Sequence, residues 1–401
     1  MATQGSATGE LSARSGGPAR ALWMLDPGVV HLNHGSYGAA PRATVDHRAR
    51  LLAEVESNPL SWHTGLVPRL TVAKRQVAEF VGADPAELAF AATASAGTTA
   101  AIRGLLDGEV VLTDHAYGAL AQHVHREASR VGVRVITAHI PLAANAADAA
   151  QAVNDAMTPA TRLVVLDQVT SASARLLPVQ AIADAAHERG ARVVVDAAHA
   201  PGMLASPLIE SADAWIGNLH KWACGVRGSA VVRLAPDVAN RVRPPIESWG
   251  GDRFPESFDV QGSADATGWI ATADGLGLLE ELVGWDRIRE YQQALVGVAR
   301  DHIARAFAEL TGEDHTVDVG MPAPAMALVG LPRGLDRAER AGELRQRIAE
   351  QLGFETQIAG WGGVARLRLS AHAYSTLSDF EAFAERAVPA LVRWAAREGG
   401  R

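Results

Sequence analysis

The stretch GNLHKWACGVRG, Gly217 to Gly228, sets a lysine in an unusual place. It follows SADAWIGN (residues 211–218) and precedes GSAVVRL (residues 228–234), two apolar runs that read as core strands. Lysines belong mostly on solvated faces, and one held in a turn between buried strands bears a desolvation penalty. Lys221 therefore calls for a chemical role, which the surrounding chain has to explain.

Working outward, the chain from about Pro85 to Leu234 alternates between two textures. Apolar runs occur at LAFAA, EVVLT, VRVIT, RLVVLDQ, ARVVVDAA, DAWIGN and GSAVVRL. Ala-rich amphipathic stretches such as GALAQHVHREASRV and VQAIADAAHERG lie between most of them. Uniformly apolar strands alternating with helices predict an α/β fold with a mostly parallel seven-stranded sheet covered on both faces. The last two runs are too close for a crossover helix, so one of that pair is expected to be antiparallel. After about Trp285 a long helix leads into short strands (AMALVG, FETQIA, VARLRLS) and two more helices, a smaller α+β domain. The expected divisions are a disordered tail over 1–19, an N-terminal segment over 20–48 packing with the small domain, a large domain over 49–284 and the small domain over 285–401.

Composition narrows the function. Of 401 residues, 48% are hydrophobic and 20% charged, an ordinary globular balance. A formal net charge of −8 gives no basic footprint for nucleic acid. No apolar run is long enough to span a bilayer, and the N-terminus lacks the apolar stretch of a secretory signal. The single cysteine, Cys224, excludes an internal disulfide and a cysteine-built zinc site, fits a reducing, cytoplasmic setting, and reads as a packed thiol. No metal centre is expected.

In parallel sheets, ligands sit beyond the carboxyl ends of the strands. After LAFAA comes TASAGTT (Thr93–Thr99), small residues opening a helix, whose free N–H groups suit a phosphate or, equally, need only a cap. After ARVVVDAA come Asp196 and His199; after DAWIGN, His220 and Lys221; after EVVLT, Asp114, His115 and Tyr117; after RLVVLDQ, Thr170 and Ser171. A phosphate cradle, a carboxylate, a desolvated lysine and a ring that can lie flat are what pyridoxal phosphate needs. The lysine forms a Schiff base with its aldehyde, and the carboxylate keeps its ring nitrogen protonated. A rival reading, a serine hydrolase using Ser95 with Asp196 and His199 or His220, leaves Lys221 unexplained and lacks the full Gly-x-Ser-x-Gly pattern.

Four stretches, LNHGSYGAAPR (Leu32–Arg42), DAAHAPG (Asp196–Gly202), NLHKWACGVRGSA (Asn218–Ala230) and RLRLSAHAYST (Arg366–Thr376), resemble the class V aminotransferase-type enzymes of fold type I. The likeness is to the branch around isopenicillin N epimerase and cysteine-conjugate C–S lyases. It implies Lys221 as the Schiff-base lysine, Asp196 on the pyridinium nitrogen and His199 on the ring 3-oxygen with Ser171 nearby. His115 matches the ring-stacking position, with Tyr117 as a second candidate or an acid–base group. Ala94 and Ser95 would offer N–H groups to the phosphate, Asn218 and His220 side-chain contacts, and Ser263 a contact lent by the neighbouring subunit of a homodimer with shared active sites. Arg368, helped by Asn33, would bind the substrate carboxylate. The family often has Gly-Thr-Arg-Asp where this chain has GSAD (Gly262–Asp265).

The reaction expected from this set is β-elimination at a cysteine S-conjugate, in secondary-metabolite (antibiotic) biosynthesis. The loop before Arg368, ETQIAGWGGVARL, holds no cysteine, which removes persulfide transfer. Amino-acid epimerisation and decarboxylating oxidative deamination stay open as alternatives.

Overall fold

The computed structural model describes residues 9–399 and divides the chain into two compact units. The larger comprises residues 39–170 and 177–279. The smaller comprises residues up to Gly38, the excursion Ser171–Leu176, and residues from Glu280 onward. The divisions thus fall about ten residues earlier than expected at 48 and five earlier than at 284, and Ser171–Leu176 leaves the large unit altogether.

The larger unit is built on a seven-stranded sheet. Its spatial order is Leu88–Ala91, Ala230–Leu234, Ala214–Asn218, Arg192–Asp196, Thr161–Asp167, Glu109–Thr113 and Val135–Ala138. All seven apolar runs become strands. Ala230–Leu234 is antiparallel to both its neighbours, and the other pairings are parallel. Val164, Val165, Val194, Val195, Ile216 and Val232 are fully buried, as strands covered on both faces must be. The helix Ala94–Leu105 packs on the sheet at Gly97, where a Cβ would come within 2.6 Å of Val232 and 2.8 Å of Ile216. That glycine lets the helix start close over the strand ends.

The smaller unit holds a three-stranded antiparallel sheet in the order Gln357–Trp361, Val364–Ser370, Met326–Gly330. The long helix Trp285–Thr311 and the C-terminal helix Leu377–Gly399 cover it through a core that includes Leu295, Ile303, Phe307, Leu367, Phe380 and Phe383. The run FETQIA, expected as one strand, is divided. Phe354–Glu355 pairs in parallel with Val30–His31, while Gln357–Trp361 pairs with the strand that carries Arg368.

Of the expected tail over 1–19, residues 1–8 lie outside the described residues. Residues 9–19 do not form a tail. Ser12 and Pro18 form a bridge, Leu11 and Ala19 are buried, and the Arg14 N–H donates to Leu282 O at 2.8 Å. Among the described residues no helix is long and apolar enough to cross a membrane.

Candidate active site

In the larger unit the charged and polar candidates collect at the carboxyl ends of the parallel strands. Asp196 ends its strand, 7% exposed. Its Oδ1 accepts the Ala198 N–H at 2.9 Å, and its Oδ2 has no hydrogen bond among the described residues. A buried carboxylate with one oxygen open is fitted to a ring N–H, the partner that would offset its desolvation. Burial raises the Asp196 carboxyl above the usual aspartate range, opposed by the Ala198 N–H and the Lys221 charge.

Lys221 lies in the turn after Asn218. That turn is closed by Leu219 N–H to Ser229 O at 3.0 Å, Gly225 N–H to Leu219 O at 2.8 Å and Cys224 N–H to Lys221 O at 3.0 Å. Gly202, at the end of DAAHAPG, lies against it. A Cβ there would stand 2.3 Å from Trp222 O, and its φ of +86° is one glycine adopts freely. The glycine of one motif is thus required by the lysine turn of the next.

Lys221 Nζ lies 3.2 Å from His199 Nε2, and the Trp222 indole N–H donates to His199 Nδ1 at 3.0 Å. An indole nitrogen only donates, so Nδ1 is an acceptor and the ring proton sits on Nε2. His199 is thereby a neutral ring presenting an N–H toward the lysine. Trp222, buried, was not singled out from sequence; a Trp next to a lysine reads simply as core.

The helix Ala94–Leu105 begins at Thr93, whose side chain accepts the Ala96 N–H at 3.2 Å. Ala94 N–H donates to Asn218 Oδ1 at 2.8 Å and is therefore engaged, contrary to the expectation that it faces a phosphate. The same bond turns the Asn218 NH2 group away from Ala94. Ser95 is exposed, and its N–H has no partner among the described residues. His220 Nδ1 donates to Ser229 O at 3.0 Å, leaving Nε2 a lone pair in the neutral ring. Burial pushes its pKa down to about 4. As a phosphate donor His220 would first have to gain a proton that burial resists, so it fits the expected role poorly. Ser263 is exposed, in a loop ended by the Asp265 cap on Thr267.

His115 is 1% exposed, and its Nε2 lies 2.7 Å from Ile140 O, which fixes the ring plane. Tyr117 is 47% exposed, and its phenol makes no hydrogen bond among the described residues. Its N–H donates to Asp167 Oδ1 at 3.1 Å and Oδ2 at 3.3 Å. Asp167, 3% exposed, was not singled out although it lies within RLVVLDQ.

The smaller unit contains a second cluster, around Arg368. Its Nη1 donates to Ser171 O at 2.7 Å and Ser171 Oγ at 3.1 Å; its Nη2 donates to Ser36 Oγ at 2.8 Å and Asn33 Oδ1 at 3.3 Å. Among the described residues Nε is buried without a partner, and no carboxylate pairs with the charge. Burial pulls the guanidinium pKa down to about 10, so it is still charged at neutral pH. Asn33 lies beside Arg368, its Oδ1 accepting from Nη2. Ser171, expected near the ring 3-oxygen, has its carbonyl and hydroxyl bonded by Arg368. Ser36, within LNHGSYG, was missed. His34, next to Asn33, is buried, bonded through Nδ1 to Tyr374 Oη at 2.6 Å and stacked on His372 at 3.8 Å.

The residues of the larger unit fit pyridoxal phosphate: a carboxylate with one open oxygen, a lysine beside a neutral N–H donor, and a helix start with an unpartnered N–H.

Residues 41–315 match the family described as Aminotransferase class-V. Over 391 residues the chain is 30% identical to an isopenicillin N epimerase from Streptomyces clavuligerus, covering 92% of this chain and 96% of that protein. It is 26% identical over 261 residues to an L-cysteine desulfhydrase from Arabidopsis thaliana, covering 56% of this chain and 57% of that one. Among solved structures, the cystine C–S lyase C-DES in complex with its product cysteine persulfide superposes with a TM-score of 0.77 at 18% identity, covering 90% of this chain and 97% of that one. At that identity the likeness is one of fold.

Proposed function

Because the chain belongs to the class-V aminotransferase family of pyridoxal-phosphate-dependent enzymes, we propose that it breaks the Cα–H bond of an amino acid bearing a sulfur substituent at Cβ. Elimination then follows, and with water the products are a thiol, pyruvate and ammonia. The bound cofactor supplies a ring that accepts the electron pair left at Cα. Lys221 would hold the cofactor covalently, and its Nζ would take the Cα proton. Asp196 Oδ2 would accept the ring N–H, and His199 Nε2–H would donate to the 3-oxygen. Ser95 N–H and Asn218 Nδ2 would bind the phosphate, His115 would stack on the ring, and Arg368 with Asn33 and Ser36 would hold the substrate carboxylate.

The observation that carries elimination over epimerisation is the His115 bond to Ile140 O. Epimerisation needs a second group to return a proton from the face opposite Lys221, and His115 has its Nε2–H engaged. Epimerisation is the second reading, favoured by the near full-length similarity to two isopenicillin N epimerases. The unengaged Tyr117 phenol would then be the second acid.

The assembly we propose is a cytoplasmic homodimer. Trp249 at 94%, Leu60 at 76% and Ile246 at 61% exposure are apolar surface that a second copy would cover, and Ser263 of that copy would complete the phosphate site.

The test combines four readouts on S-alkyl cysteines in deuterated water: pyruvate, CO2, Cα deuterium and configuration. Elimination requires exchange with pyruvate and no CO2. Exchange with inversion and no pyruvate would establish the epimerase, and CO2 with the Cα proton retained would overturn both. Borohydride should fix the cofactor at Lys221. Asp196→Asn should lower turnover several-hundred-fold, since stabilising the developing charge is worth about 3–4 kcal/mol.

A further inference from the structure

The strand Thr161–Asp167 ends in a carboxyl that the proposed chemistry leaves unused. Asp167 and Asp196 are register partners on neighbouring parallel strands, so their side chains leave the sheet on the same face from backbones about 4.8 Å apart. Both are buried, each is held by a backbone N–H, and neither has an ion pair among the described residues. Two carboxylates so close in a low-dielectric site do not both ionise; one keeps a proton.

We propose that Asp167 is the proton-bearing partner of Asp196, confining the pair to a single negative charge at the ring-nitrogen site and, through the Tyr117 N–H, holding the turn that carries His115. It is a positioning residue. The inference rests on Asp196 being the carboxylate that takes the cofactor nitrogen, and deepens that reading.

The environment assigns the proton to Asp167. Its carboxyl is pushed well above the usual range, first by burial and then by Asp196, with the Tyr117 N–H and Lys221 opposing. Asp196 is raised by burial alone, with Ala198 N–H and Lys221 opposing. The flanking elements carry few other titratable groups. Asp114 and His115 follow the strand on one side, and Asp114 is turned to Ile140 N–H and His139. His199 follows the strand on the other side, bonded to Trp222 and Lys221. The helix Val179–Glu188, packed on the Asp167 strand, carries Asp184, bonded to Gln180, His187, bonded to Asp213 at the opposite sheet end, and Glu188.

The test is Asp167→Asn in the cofactor-loaded protein, since Asn reproduces the shape and polarity of the protonated acid. Cofactor affinity and borohydride labelling at Lys221 should stay within about twofold of wild type. The folded wild type holds a proton at Asp167 that the unfolded chain releases above the ordinary aspartate value. Wild-type stability therefore falls as pH rises in that window, and the Asn variant lacks this slope. Above about pH 5 the variant's melting temperature should gain on wild type as pH rises, by roughly 2 °C per pH unit. A variant that loses ground on wild type as pH rises would show Asp167 to be an ionised cap and overturn the proposal. Independently of any variant, wild type labelled with carboxyl-13C aspartate should keep a carboxyl carbon at its protonated shift near pH 7; absence of that signal overturns it. Loss of Lys221 labelling in the wild type would instead sink the cofactor reading.

Discussion

Arg368→Lys keeps a positive charge and removes a fork. Arg368 supplies four hydrogen bonds, to Ser171 O, Ser171 Oγ, Ser36 Oγ and Asn33 Oδ1, while being 1% exposed. A lysine ammonium carries three donors on one nitrogen against those four acceptors, so at least one buried acceptor would go unsatisfied at about 1–3 kcal/mol. The protein should therefore lose at least about 1–3 kcal/mol of stability. A substrate carboxylate would lose the one open donor, the Nε–H, and the plane that presents it, a charge-assisted hydrogen bond worth about 1.5–3 kcal/mol, or ~10- to 150-fold in affinity. The assay is a spectral titration of the loaded enzyme with an amino acid and with the amine of the same side chain that lacks the carboxylate. Wild type should prefer the amino acid strongly, and the variant should lose most of that preference. Because Arg368 is buried without a counter-ion among the described residues, simple carboxylate ions should also raise the wild-type melting temperature, and fail to do so in the variant. A preference that survives the substitution unchanged would refute the assignment of Arg368 as the carboxylate holder.

Gly202→Ala should push the Lys221 turn, since its Cβ would stand 2.3 Å from a backbone carbonyl; weaker borohydride labelling at Lys221 is expected beyond the loss of stability, and intact labelling kinetics would contradict the motif coupling. Glu127 is held below its usual value of 4.5 first by hydrogen bonds from Arg130 and Arg103. Its folded value being depressed, the stability it adds is present above the ordinary glutamate range and lost as pH falls through the lower value. Glu127→Gln should thus melt below wild type at neutral pH and converge with it in acid, and parallel curves would show that those bonds contribute nothing.

The strands were legible because burial on both faces leaves no room for polar residues, so each run is apolar from end to end. Asp196 and Lys221 stood out because charge at the end of such a run is hard to explain otherwise. Asp167 satisfies the same description yet was passed over, because what distinguishes it is register. Only the pairing of Asp167 with Asp196 makes two scattered acids a pair. Ser36 and the Ser171 carbonyl escaped for a related reason: small hydroxyls and backbone oxygens carry no pattern, and Arg368 selects them only in space. Residues 9–19 looked like a tail because Leu11, Ala13 and Ala19, though buried, are too sparse to show a period.

The Arg368 cluster draws on residues 33–36, on an excursion at 171, and on a strand ending at 370. During synthesis its acceptors leave the ribosome long before the guanidinium that joins them. The smaller unit therefore has no contiguous gene segment that encodes it. A fragment beginning at Glu280 would lack the strand Val30–His31 and every acceptor of Arg368, and its buried arginine would have nothing to bond. Swapping C-terminal segments between relatives to alter substrate preference would have to carry the short stretches around residues 33 and 171 along with them.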